Sequence, residues 1–305
     1  MKTARADVYT QVTNNIIASI EKGAGDWQMP WHRSGEGLNR PVNIDTSNAY
    51  RGINVLSLWA AAQAQGFSTG TWGTYRQWQN KGCQVRKDEK SSLVVFYKEF
   101  TVEEQLENGD TEEGKRMMAR ASYVFNADQV DGFEAPKLPE PKDPVQVIEE
   151  VDAFIQATGA NIRHGGTQAY YRLPHAGDGD YIQMPEKDRF TGSETSSATE
   201  CYYSTLLHEL THWTGSAKRS DRGFGKRFGD DAYAVEELVA ELGAAFLCAD
   251  LGVTLEPRAD HAAYIQNWLK VLKADKKAIF TAASQAAKAT DFLAGLQASA
   301  KSVAA

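Results

Sequence analysis

The sequence predicts an α+β fold in two domains, and three observations carry that prediction. Four of the nine prolines fall within residues 136–144, where missing backbone donors and extended conformations make a semi-rigid linker. Before this break, helical periodicity gives way to segments rich in β-branched and aromatic residues. After it, short strand segments lead into long helical stretches. The N-terminal domain is therefore placed at 1–135, the linker at 136–144 and the C-terminal domain at 145–305.

Bulk properties narrow the class. The chain has 305 residues, 42% hydrophobic and 24% charged, as in soluble globular proteins. No apolar run is long enough for a membrane span, and Asp7 with polar neighbours replaces the apolar core of a signal peptide. Cys83, Cys201 and Cys248 are scattered, a pattern of reduced thiols and a cytoplasmic location rather than a disulfide framework. The net charge of −7 is unevenly spread: residues 1–100 carry 12 Lys/Arg against 8 Asp/Glu, the remainder 21 against 32. A basic front half joined to an acidic back half fits a nucleic-acid module attached to something else, or ordinary charge fluctuation.

In the first domain Val8, Val12, Ile16, Ile17 and Ile20 sit near helical spacing, with Gly23 and Gly25 as stops. Residues 52–66 read as a second helix with Ile53, Leu56, Trp59 and Ala60 on one face. Residues 93–100 and 121–125 read as strands, and the turn signal Asn108-Gly109-Asp110 makes them a hairpin. In the second domain a helix is expected over 145–158 and strands over 169–173 and 180–184. Helices follow over 198–214, 231–251 and 260–272, then an Ala- and Lys-rich terminal helix. Residues 180–185 offer an edge strand for an extended peptide, or a plain core strand.

The segment His208-Glu209-Leu210-Thr211-His212 carries the chemistry. Two histidines four residues apart share a helix face and can point at one tetrahedral ion, with Glu209 placed to take a proton from a water on it. Leu206, Leu207 and Leu210 supply the core-facing stripe of that helix, where polar groups need partners. A catalytic zinc takes three protein ligands. Among Glu236, Glu237 and Glu241 on the next long helix, we assign Glu237 as third ligand and Glu241 as the acceptor orienting a histidine. Glu236 then faces solvent or the cleft. Zinc is the expected ion, with other divalent metals compatible. His164, His175, His261, Tyr170, Tyr171, Tyr203 and Tyr233 are weaker candidates for stabilising an oxyanion.

In the N-terminal domain Trp27, Trp31, Tyr50, Trp59, Trp72, Tyr75 and Trp78 interleave with Arg33, Arg40, Arg51, Arg76, Lys81, Arg86, Lys87 and Lys90. Aromatic platforms with cations grip single-stranded nucleic acid; the same aromatics can equally fill a core, as Trp59 on its apolar face should.

At this point the residues carry a resemblance. Ala169-Tyr170-Tyr171, the run from Asp180 to Pro185, His208 to Gly215 and Tyr233 to Glu241 resemble the ArdC family of plasmid-borne antirestriction proteins. So do Pro30-Trp31, Pro41 with Asn43, Tyr50 to Asn54, Trp72 with Thr74, and Gly82 to Lys90. The resemblance implies an N-terminal α+β single-stranded DNA-binding domain and a C-terminal zincin-like, minigluzincin-type metallopeptidase domain. Its implied role is protection of incoming conjugative DNA from host restriction, with a DNA-bound host protein as a substrate for the peptidase. The DNA-contact candidates are Trp27, Trp31, Arg51, Asn54, Trp72, Tyr75, Arg86, Lys87 and Lys90. The family usually has Gly where this chain has Asp88, and residues 218–222 follow its Arg-rich pattern only loosely. A competing expectation is a non-enzymatic protein that coats single-stranded DNA, its metal site structural or vestigial. A third is a general protease that DNA merely localises.

Overall fold

The computed structural model describes residues 7–23, 40–105, 111–134, 144–175, 178–192, 196–223, 231–253 and 261–303. Helix α1 (Val8–Gly23) buries the predicted stripe of Val12, Ile16 and Ile20, and the Asp7 carboxylate caps its N-terminus by accepting from Thr10 N at 3.1 Å. Helix α2 (Ile53–Gln65) is more deeply placed than one apolar face requires. Ile53, Val55, Leu56, Leu58, Trp59, Ala60 and Ala62 are all buried, and the helix ends at Gly66 in the left-handed conformation.

Four strands, β1 (Val42–Asn43), β2 (Thr71–Gly73), β4 (Ser92–Gln105) and β5 (Thr111–Asn126), form a sheet of order β1-β2-β5-β4. The expected hairpin is the antiparallel β4–β5 pair, in a register that sets Leu93 opposite Tyr123 and Tyr97 opposite Ala119; its Asn108-Gly109-Asp110 turn lies outside the described residues. Between β2 and β4 a short helix α3 (Tyr75–Asn80) starts at a reciprocal Thr74–Gln77 capping box. β3 (Gln84–Val85) then pairs with β6 (Val130–Asp131) over a small core of Trp78, Cys83, Val85, Ala127 and Val130.

After the proline-rich stretch 136–144, most of which lies outside the described residues, Pro144 occupies the first turn of α4 (Pro144–Thr158), where its missing N–H is no loss. A three-stranded sheet follows in the order β7-β9-β8, from β7 (Ile162–His164), β8 (Tyr170–Arg172) and β9 (Tyr181–Met184). This corrects the edge-strand expectation for residues 180–185. β9 is the central strand, hydrogen-bonded on both sides, so its backbone has no free edge for a peptide; the sheet edges belong to β7 and β8.

Helix α5 (Ala198–Thr214), with a Ser197–Glu200 capping box, packs on α6 (Asp231–Leu251), which also packs on α8 (Ala278–Val303), while α7 (His261–Ala274) lies alongside. Where α5 meets α6, a Cβ on Gly243 would stand 2.4 Å from Thr211 Cγ2. The missing side chain allows the two helices to approach closely at the turn that carries the site.

One hydrophobic core runs through both halves, from Val12, Trp59 and Val94 to Phe246, Ile279 and Ala283. Trp59 meets Phe246 at 5.9 Å between ring centres, and Arg40 pairs with Asp250 at 2.7 Å. Among the described residues no helix is long and apolar enough to cross a membrane.

Candidate metal centre

His208 and His212 lie one turn apart on α5, their rings edge-on with centres 4.9 Å apart. Glu237 reaches them from α6, its Oε2 3.5 Å from His208 Nε2 and its Oε1 3.5 Å from His212 Nε2. All three residues are buried, with donor atoms within 4.8 Å of one another. Donors about 2.0–2.2 Å from a tetrahedral ion lie roughly 3.4 Å apart, so two imidazoles and a carboxylate at these spacings fit a divalent ion. Among the described residues no other group of three or more such side chains gathers this way.

The outer nitrogens of both rings face carboxylates. His208 Nδ1 stands 3.6 Å from Glu241 Oε2, and His212 Nδ1 is 3.2 Å from Glu236 Oε1. Glu236, expected towards solvent or the cleft, is instead 5% exposed. Its second partner is Arg222, whose Nε donates to Oε2 at 3.0 Å and whose Nη2 donates to Oε1 at 2.8 Å. Burial alone would lower the His212 pKa, but hydrogen bonds to Glu236 and Glu237 outweigh it and raise it to about 10. Burial likewise opposes the charge on Glu237, yet the two histidines hold its carboxyl far below the usual range.

Glu209 is 4% exposed, one residue past His208 on the same helix. The nearby wall is braced by Arg219, which donates to Trp213 O at 2.6 Å, to Tyr171 Oη at 3.1 Å and to Asp180. Its guanidinium also lies 3.8 Å over the Trp213 ring. Two of the alternative oxyanion candidates are engaged by other partners. His164 Nε2 is hydrogen-bonded to Tyr202 Oη at 2.8 Å and Tyr203 Oη donates to Asp152 at 2.7 Å.

The comparisons with known proteins bear on both halves. A model of the N-terminal domain of anti-restriction factor ArdC matches residues 6–125, and a zincin-like metallopeptidase model matches residues 149–285. The crystal structure of the metal-free antirestriction protein ArdC from plasmid R388 is 42% identical, covers 96% of this chain and 98% of that one, and superposes with a TM-score of 0.75. Its Mn(II)-bound form gives 0.73 at 40% identity, with the same shares covered. The chain belongs to the ArdC antirestriction family. The uncharacterized protein y4eC of Sinorhizobium fredii is 46% identical over 97% of this chain and 94% of its own length. DNA primase TraC of Escherichia coli is 35% identical over 96% of this chain, which spans 27% of TraC.

Within the ArdC frame, the DNA-contact candidates divide. Trp27 and Trp31 lie outside the described residues. Trp72 is 1% exposed and packs edge-on against Phe67, so it is a core residue rather than a platform for a base. Asn54 donates to Val95 O at 2.8 Å and accepts from Val95 N at 2.7 Å; its amide closes the free edge of β4, and the half-buried side chain lines a groove with Arg51. Tyr75, 43% exposed, lines an open groove of about 690 Å³ with Arg86, Lys87 and Phe125. Arg86 pairs there with Glu89 at 3.0 Å; Lys87 and Lys90 are exposed beside it. Arg51 is exposed and pairs with Asp291 of α8.

Asp88 has φ 66. This places it in the left-handed region, where glycine is at ease and aspartate is among the few other residues that tolerate the conformation. Tyr123 and Tyr97, 42% and 46% exposed, carry no sequence signal of their own; only the β4–β5 register puts them on the sheet face that carries Phe125.

Proposed function

We propose that this protein protects incoming DNA by binding it as a single strand through the N-terminal half while the C-terminal half acts as a metal-dependent peptidase on a DNA-bound protein. The observation that carries the peptidase reading is the buried group of His208, His212 and Glu237 with Glu209 beside it. Those three residues would hold a divalent ion, zinc by the chemistry of the donors; the Mn(II)-bound relative fits a site tolerant of other divalent metals. When bound, the ion supplies an acidified water and polarises a peptide carbonyl.

The chain's own residues do the rest. Glu209 accepts the proton of the attacking water and returns it to the leaving amine. Glu236 holds the His212 ring through Nδ1 at 3.2 Å, and the Glu241 carboxylate faces His208 Nδ1 from 3.6 Å, so that each ring presents Nε2 inward.

The single-strand reading is supported by Tyr75, Tyr123 and Tyr97, exposed around one sheet face as platforms for successive bases. Lys87 and Lys90 flank one end, and Arg51 with Lys288 line a groove of about 440 Å³ at the other. Kinship with a DNA primase is consistent with a DNA partner.

The test compares wild type with Glu209→Gln at equal, measured metal content, scoring both peptide hydrolysis and survival of transferred plasmid under restriction. Hydrolysis should fall by about 10²–10⁴-fold and survival should fall with it. Full survival without hydrolysis would assign protection to occupancy of the strand alone.

A further inference from the structure

We propose that Arg222 is a positioning residue of the metal centre, which acts by pinning Glu236 against Nδ1 of His212. The inference rests on the metal-binding reading above. Arg222 follows α5 by a short loop and is 9% exposed. Its guanidinium is held from two helices. Nε and Nη2 take both oxygens of Glu236 on α6 at 3.0 and 2.8 Å, while Nη1 donates to Thr214 Oγ1 and Nη2 to Thr211 O, each at 2.7 Å. Its backbone N–H donates to Gly215 O at 3.0 Å. Thr211 and Thr214 flank His212, so Arg222 measures the position of Glu236 against the same helical turn that carries the ligand.

The shared atom gives this arrangement its consequence. Glu236 Oε1 meets both His212 Nδ1 and Arg222 Nη2. With the fork of Arg222 on both carboxylate oxygens, Glu236 can neither rotate nor leave, and Nδ1 must be the protonated nitrogen facing it. Nε2 is then left as the free electron pair towards Glu237 and the ion. Three carboxylates, Glu236, Glu237 and Glu241, lie buried within two turns of α6. Without the guanidinium fork on both its oxygens, Glu236 is free to swing away from the neighbouring carboxylates, and His212 loses its anchor. Lysine offers a single-point donor and cannot reproduce the planar fork.

The experiment is a double-mutant cycle read by metal affinity, with Zn(II) and Mn(II) titrated in competition with a chromophoric chelator. The proteins are full-length wild type, Arg222→Met, Arg222→Lys, Glu236→Gln and Arg222→Met/Glu236→Gln. Arg222→Met and Glu236→Gln should each weaken affinity by about 10–100-fold, and the double variant should be no weaker than the poorer single. Arg222→Lys should recover only part of the loss. The melting temperature of each metal-free variant separates this from plain destabilisation; should Arg222→Met not fold, Arg222→Lys with Glu236→Gln completes the same cycle. Losses that multiply in the double variant, or an affinity for Arg222→Met within about 2-fold of wild type, would overturn the proposal. If wild type itself binds neither ion, the metal reading fails and this one with it; if wild type binds and only the Arg222 variants are unchanged, the metal reading stands and this inference alone falls.

Discussion

Glu237 and Glu241 lie one turn apart on α6, yet only Glu237 reaches the inner nitrogens of both imidazoles. Glu237→Ala should therefore abolish stoichiometric metal in the purified protein, whereas Glu241→Gln should retain it with affinity reduced by about 10–100-fold. Metal analysis after dialysis checks both, and metal kept by Glu237→Ala but lost from the Glu241 variant would reverse the two roles. Trp72 poses the complementary question. Buried against Phe67, it should cost about 3–5 kcal/mol of stability on Trp72→Ala, read by denaturant unfolding. Tyr123→Ala, by contrast, should leave stability within about 0.5 kcal/mol and weaken binding of an oligo-dT probe by about 1–3 kcal/mol. If the probe binds both wild type and Tyr123→Ala equally well, the sheet face is not its path.

At the scale of elements, the metal centre depends on how closely α5 and α6 cross. A methyl group at Gly243 would meet the Thr211 side chain at 2.4 Å, so Gly243→Ala should cost about 1–3 kcal/mol and weaken metal binding together with it. The wall beside the site depends on Asp180. Burial opposes its charge, but hydrogen bonds from Arg219 and Tyr171 outweigh that and hold its carboxyl below the usual range. A depressed folded pKa stabilises above the unfolded value of about 3.9 and is lost as pH falls through the folded one. The melting-temperature gap between wild type and Asp180→Asn should thus be constant from about pH 5 to 7 and narrow below about pH 4. A gap that widened in acid would contradict the pairing.

These elements also show which features a sequence can carry. His208 and His212 were legible because their spacing and helical geometry are both local. The main helices and the β4–β5 hairpin were legible from periodicity and turn residues. The order β7-β9-β8 was not, because a central and an edge strand of four residues read alike. Nor was the Glu236–Arg222 pair, whose partners are 14 residues apart across a helix stop. Tryptophan and asparagine in a basic region look the same whether they stack on a base or, like Trp72 and Asn54, close a core and a strand edge.

Across the whole molecule, the proline-rich boundary separates two families of sequence but not two cores. Trp59 of α2 touches Phe246 of α6, Tyr9 of α1 meets Phe280 of α8 at 4.7 Å, and Thr13 Oγ1 donates to Lys276 O at 2.6 Å. α2 is buried on nearly every side, and residues of the C-terminal half supply part of that cover. A helix in this position cannot stay folded while α6 and α8 unravel, so the halves should unfold as one unit. Metal then becomes a probe of the coupling, because an ion bound only to the folded state stabilises everything that unfolds with its site. At a free concentration near 100 times Kd the gain is about 2.7 kcal/mol, or about 4 °C for a chain of this length. Calorimetry should show a single transition that moves by this amount. Hydrogen exchange by global opening should slow in α2 of the N-terminal half as much as in α5, which carries the histidines. Protection confined to α5 and α6 would mean that the halves open independently, and that occupancy of the metal centre is invisible to the exposed tyrosine face of the N-terminal half.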